Sequence, residues 1–236
     1  MGKAEAIRIG VAVGNALLKV AFAPGCAACA APLETPLDGC VCPRCWGAIE
    51  PPPKVDWPAG PLANAAAAGD YAGTLRQIVH ALKYDGRRSL ARPLAELMGV
   101  MGQDILEGAD CIVPVPLHPW RRMRRGFNQA SDLALALRRP VHPLLWRVRT
   151  TAPQARLTAV ERRRNVSRAF RLSPLLSART RNWLRGRTVV LIDDVRTTGA
   201  TLHACAEVLA AAGAGEVRAL TVAVRADYSS SGAIAP

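Results

Sequence analysis

From Arg187 to Asp194 the chain reads Arg-Thr-Val-Val-Leu-Ile-Asp-Asp, a β-branched and aliphatic run with no polar alternation. A strand of that kind has no wet face, so it belongs in a parallel sheet covered by helices on both sides. The next residues form a turn, then a helical stretch from Thr201 to Ala212, a Gly213–Gly215 break, and a second aliphatic strand, Val217–Val224. Strand, helix and strand in that order imply a right-handed βαβ crossover within a doubly wound α/β sheet.

The rest of the chain fits around that unit. Tyr71–Tyr84 places Leu75, Ile78, Val79 and Leu82 at helical spacing and stops at Asp85-Gly86; a second helix is expected from about Ser89 to Leu106. Cys111–Pro116 is a short apolar run closed by prolines, read as a buried strand ending in a fixed loop, with a helix from about Asn128 to Arg138 after it. A short strand is expected within 140–148. Residues 150–168 are polar and basic without a period, read as a long loop, partly helical near Glu161–Arg168; loops of that length tend to be functional. Prolines at 51, 52, 53, 58 and 61 make 51–64 a stiff linker or rim. With 236 residues, the expected division is an N-terminal helix and metal-binding ribbon at 1–50, the linker, an α/β domain at 65–227 and a flexible tail at 228–236.

Five of the seven cysteines fall between Cys26 and Cys45. Cys26-x-x-Cys29 and Cys42-x-x-Cys45 are two knuckles at a spacing that lets four thiolates converge on one zinc ion. Cys40 is spare; using it in place of Cys42 would break the second knuckle. The competing reading is a disulfide framework, which needs export and leaves one of the five unpaired. The segment is rich in Gly and Pro and poor in apolar surface, so the metal would be structural, with four sulfurs leaving no open position. Cys111 and Cys205 read as small buried hydrophobes.

Residues 9–23 form the one candidate export or membrane segment, with Ala21-Phe22-Ala23 shaped like a cleavage site. Asn15 and Lys19 interrupt it, and it falls short of the ~18 to 20 apolar residues a span needs. A short amphipathic helix (Val11, Leu17, Leu18, Val20, Phe22) packed under the cysteines, and a soluble cytoplasmic protein, are expected instead.

The formal net charge of +13 is local: Arg121–Arg187 holds eighteen Arg against Asp132 and Glu161, so that stretch carries +16 and the remainder is slightly acidic. Such a patch suits a polyphosphate or a nucleic-acid backbone, or is a solvated face in an Arg-rich protein. Aromatic residues at 5% speak against extensive base stacking.

The chemistry concentrates in Asp193, Asp194, Val195, Arg196, Thr197, Thr198, Gly199, Ala200 and Thr201, placed where the strand's carboxyl end meets the helix's amino end. Ligands of open α/β sheets bind there. Gly199 permits a tight turn, successive N–H groups and the helix dipole favour a phosphate, and the threonines add donors. The two carboxylates suit the vicinal hydroxyls of a ribose, or magnesium-bound water attached to them.

That nine-residue string resembles the signature of type I phosphoribosyltransferases. Leu82-Lys83-Tyr84-Asp85-Gly86, Val113–His118, Arg125-Gly126-Phe127-Asn128-Gln129, and Gln154 with Leu157, Arg164, Asn165 and Phe170 resemble the ComF pattern, and with the cysteine knuckles the resemblance spans about 20–225. It implies a type I phosphoribosyltransferase-like parallel sheet with helices on both faces, preceded by a small zinc ribbon, and phosphoribosyl pyrophosphate with magnesium as ligand. Carried over by position, Thr197, Thr198, Gly199 and Thr201 hold the 5-phosphate, while Asp193 and Asp194 hold the ribose diol and serve the catalytic step. Arg121, Arg125, Gln154 or Arg156 meet the pyrophosphate. His118 lies where it could face the site or serve a structural role. No base-recognition segment is visible. One functional expectation is phosphoribosyl transfer to a nitrogenous acceptor. The other is a non-catalytic nucleotide sensor that binds single-stranded DNA, with a helicase partner, in competence DNA uptake.

Overall fold

The computed structural model describes residues 3–22, 24–55, 57, 60–148 and 169–225. Four strands, β1 (Asn64–Asp70), β2 (Cys111–Pro114), β5 (Thr188–Arg196) and β6 (Glu216–Val224), form a parallel sheet in the order β1-β6-β5-β2. Between β2 and β5 in the chain, β3 (Leu145–Arg147) and β4 (Phe170–Leu172) pair antiparallel as a separate ribbon.

Side chains alternate across a strand, and β5 shows what that does here. Val190 and Ile192 enter a core built with α3 (Gly73–Tyr84), α4 (Ala91–Met101), α7 (Gln129–Ala136) and the cysteine-rich segment. Val189 and Leu191 enter a second core on the opposite face, with the β3–β4 ribbon, Leu184 and the helix after β5, Ala200–Ala211. All four are fully buried. The parallel sheet covered on both faces is as expected.

Several elements differ from the sequence reading. The second expected helix is broken at Gly102 into α4 and α5 (Gln103–Leu106); a side chain there would collide with Leu220, so the position takes glycine, a poor helix former. Strand β1, Asn-Ala-Ala-Ala-Ala-Gly-Asp, was not expected; alanine has little strand propensity, and pairing with β6 imposes the conformation. Helices α6 (Pro119–Arg125) and α8 (Ala178–Trp183) are too short to show a period, and the helix after β5 is therefore α9. The expected long loop at 150–168 and tail at 228–236 lie outside the described residues.

The N-terminal helix α1 (Lys3–Phe22) is longer than expected and holds the ribbon by a different edge. Val11, Leu17, Val20 and Phe22 are exposed rather than packed beneath the cysteines. Contact runs instead through Asn15, whose Oδ1 accepts the Leu37 N–H at 2.8 Å, and Lys19, 2.7 Å from Glu34. No helix among the described residues is long and apolar enough to cross a membrane.

Candidate functional site

The cysteine segment converges as its spacing predicts. The Sγ atoms of Cys26, Cys29, Cys42 and Cys45 all lie within 4.8 Å of one another, with Cys29 and Cys42 at 3.9 Å. Tetrahedral zinc with ~2.3 Å bonds separates its sulfurs by about 3.8 Å, so this donor set fits a metal ion. Cys40 points elsewhere, toward Ser89 Oγ at 3.6 Å. Burial opposes ionisation of Cys26, but N–H groups of Cys29, Cys42 and Ala28 outweigh it and bring the thiol down to about 6. The second knuckle opens α2 (Pro43–Gly47). The cluster shares a core with Ile78 and Leu82 of α3, and Arg87 donates to the Gly25 carbonyl at 3.0 Å.

At the end of β5, the chain turns through Thr197, Thr198 and Gly199, which takes a left-handed φ of 73°, and enters α9 with no side-chain cap from Gly199 and only a long 3.5 Å contact from the Ala200 N–H to Thr198 Oγ1. Thr197 and Thr198 are exposed, and Ala200 and Thr201 are half-buried. Asp193, Val195, Arg196 and the residues from Thr197 to Leu202 line a cleft of about 30 Å³. Free helix N–H groups and hydroxyls around so small a space suit a group the size of a phosphate. Arg196, expected at the loop, is 3% exposed and stacks over the Trp57 ring at 4.9 Å.

The alternation that separates Val190 from Leu191 also parts the two carboxylates, and each meets a cation. Asp194, on the α3 face, lies 2.8 Å from Lys83 Nζ, with both side chains 14% exposed. Burial works against the Lys83 charge, yet Asp194, with help from Asp193, holds its pKa above the ordinary value. Asp193, on the α9 face, accepts the Asp194 N–H at 2.9 Å and feels the positive charge of Arg147 on β3. Burial first, and the neighbouring Asp194 charge second, push the Asp193 carboxyl up to about 7 against the pull of that N–H, Lys83 and Arg147.

The outer residues are more scattered. Arg125 closes α6 and stacks over Tyr84 at 4.7 Å. Arg121 lies on the same helix. Gln154, Arg156, Leu157, Arg164 and Asn165 are outside the described residues, while Phe170 is buried on β4. His118 has the structural role: its Nδ1 accepts the Trp120 N–H at 3.2 Å and caps α6. Asn128 caps α7 and donates to the Val115 carbonyl at 3.0 Å.

Residues 123–231 match the phosphoribosyl transferase domain family. The chain is 34% identical over 187 residues to DNA utilization protein YhgH of Escherichia coli strain K12, covering 75% of this chain and 74% of that one. It is 33% identical over 160 residues to competence protein F of Haemophilus influenzae, covering 64% and 68%. With competence protein ComFC of Bacillus subtilis it shares 40% over 98 residues, covering 42% and 37%. The chain belongs to the ComF family. As a ComF protein it carries a phosphoribosyltransferase-like domain preceded by four cysteines able to hold a metal ion. Two cations of this ComF cleft are not announced by the motif that holds the carboxylates. Arg147 gives no signal in sequence. Lys83 is visible in sequence only as part of the Leu82–Gly86 string, with no role attached, although its place four residues after the buried Val79 sets it beside the apolar stripe of α3.

Proposed function

We propose that this chain binds phosphoribosyl pyrophosphate with magnesium and transfers its phosphoribosyl group to a nitrogenous acceptor. The observation that carries the reading is the junction of β5 and α9, where the start of the helix and the Asp193 carboxylate border one cleft and Asp194 is the next residue along the strand. In it, Thr197, Thr198, Gly199 and Thr201 hold the 5-phosphate through N–H and hydroxyl donors. Asp193 and Asp194 accept from the ribose diol and favour the positive charge that grows on the sugar as the bond to the leaving group breaks. Arg121 and Arg125 neutralise the departing pyrophosphate, with Gln154 and Arg156 assigned to the same end. The carboxylates are oxygen donors of the kind magnesium takes, directly or through water, and the ion would offset charge on the pyrophosphate. Cys26, Cys29, Cys42 and Cys45 hold a structural zinc.

The relatives' names supply the setting. YhgH is called a DNA utilization protein and the other two competence proteins, which supports a role for this chain in competence DNA uptake. A second reading keeps the cleft as a ligand sensor and gives DNA binding, with a helicase partner, to the basic surface. Its support is α6, where exposed Trp120 and Met123 alternate with Arg122 and Arg124, a mixture suited to a single strand. Incubation with labelled phosphoribosyl pyrophosphate, magnesium and a panel of bases separates the two. Base-dependent pyrophosphate release supports the transferase, and saturable binding without release supports the sensor. Absence of both excludes each.

A further inference from the structure

Asp194 is engaged before any ribose arrives. Its Oδ1 is 2.8 Å from Lys83 Nζ, and at 14% exposure neither side chain is well hydrated. With Oδ1 held by Lys83, Asp194 offers a diol Oδ2 alone unless the pair opens, and an ammonium left in that place without an anion is strongly unfavourable. Lys83 also lines a cavity of about 690 Å³ together with Tyr84, Trp120, Arg124, Arg125 and Phe127. None of its described lining residues carries a carboxylate. Arg125 lies over Tyr84 at 4.7 Å and Arg124 over Trp120 at 5.8 Å, so the guanidinium groups are braced by ring faces. Lys83 links this cavity to Asp194 on the α3 face, whereas the Thr197–Thr201 turn heads α9 on the other.

We infer that Lys83 makes the site selective for phosphoribosyl pyrophosphate over other ribose phosphates, by leaving Asp194 only when a pyrophosphate on C1 offers its ammonium another anion. The inference rests on the cleft taking a ribose 5-phosphate. A sugar seated by its 5-phosphate on Thr197–Thr201, with its diol at the carboxylates, turns its C1 end away from the loop and toward the Lys83 cavity. There the ammonium moves from one anion to another and the carboxylate exchanges a cation for hydroxyl donors, so every charged group keeps a partner. Ribose 5-phosphate brings the hydroxyls without the second anion, and the exchange stays incomplete.

The test uses the purified full chain, titrated calorimetrically in magnesium buffer with phosphoribosyl pyrophosphate and, separately, ribose 5-phosphate. Wild type, Lys83→Met and Lys83→Arg are compared, each first shown to be folded by far-ultraviolet circular dichroism and titrated well below its own melting temperature. Wild type should prefer the pyrophosphate compound by roughly 100-fold, and Lys83→Met should cut that preference by about tenfold or more. The loss should come from weaker pyrophosphate-compound binding, with ribose 5-phosphate bound as well as before or better, and Lys83→Arg should restore most of the preference. A Lys83→Met ratio within about twofold of wild type, or equal losses for both ligands, overturns the role given to Lys83. Silence from wild type with both ligands overturns the reading of the cleft itself.

Discussion

The cysteine ribbon and the cleft between β5 and α9 are both built from short motifs, yet they are finished to different degrees. In the ribbon four donors converge on one another, the spare Cys40 is turned to Ser89, and the whole sits in a core shared with α3. In the cleft the start of α9 has no cap from Gly199, while Asp194 is paired with Lys83 on one face of the sheet and Asp193 feels the charge of Arg147 on the other. A closed cluster is suited to hold one fixed occupant. An open one, with its charges held by partners that a ligand can replace, is suited to exchange. Helix α3 joins them, since Leu82 packs in the ribbon's core and Lys83 reaches the cleft.

That contrast breaks first at the ribbon. If the four cysteines hold zinc as proposed, wild type should carry about one zinc per chain, and Cys42→Ser should carry none and melt ~10 °C or more lower, measured by elemental analysis and calorimetry; a zinc-free wild type melting with the variant would remove the structural role. Cys40→Ser is the matched control and should leave both readings unchanged. At the cleft, Asp194→Asn strands the Lys83 ammonium, so it should cost about 3 kcal/mol in denaturant unfolding and abolish ligand binding. A variant as stable as wild type would mean the ion pair is inconsequential.

A subtler effect concerns Asp193. Its folded pKa, near 7, lies above the ordinary carboxyl value, so its contribution to stability is complete below about pH 4 and is lost as pH rises through about 7. The melting temperature of wild type minus that of Asp193→Asn should therefore fall between about pH 4 and pH 8. A difference that stays flat or rises would show Asp193 ionised throughout and well compensated.

The parts legible in sequence are those in which local chemistry and tertiary fate agree. The run Val189–Ile192 has one comfortable place, and Cys26, Cys29, Cys42 and Cys45 have one shared purpose, so both were readable without coordinates. Strand β1 was hidden because alanines adopt an extended form only through pairing with β6. The apolar residues of α1 suggested packing that the helix does not make, since its contacts with the ribbon run through Asn15 and Lys19. At the cleft the loop is visible in nine consecutive residues, whereas its counter-ions come from α3 and β3. Only the folded sheet brings Lys83 within 2.8 Å of Asp194, and no spacing rule spans that separation in the chain.

The central claim is that the turn between β5 and α9 holds the phosphate end of a phosphoribosyl group. Its most direct measurement is a calorimetric titration of phosphoribosyl pyrophosphate with magnesium into wild type and Gly199→Val, since a β-branched residue at a φ of 73° closes the left-handed turn that aims the N–H groups. Saturable one-to-one binding by wild type, lost in the variant while zinc content and the far-ultraviolet spectrum are retained, is the predicted result. Undiminished binding by Gly199→Val, or no binding by wild type, would contradict it.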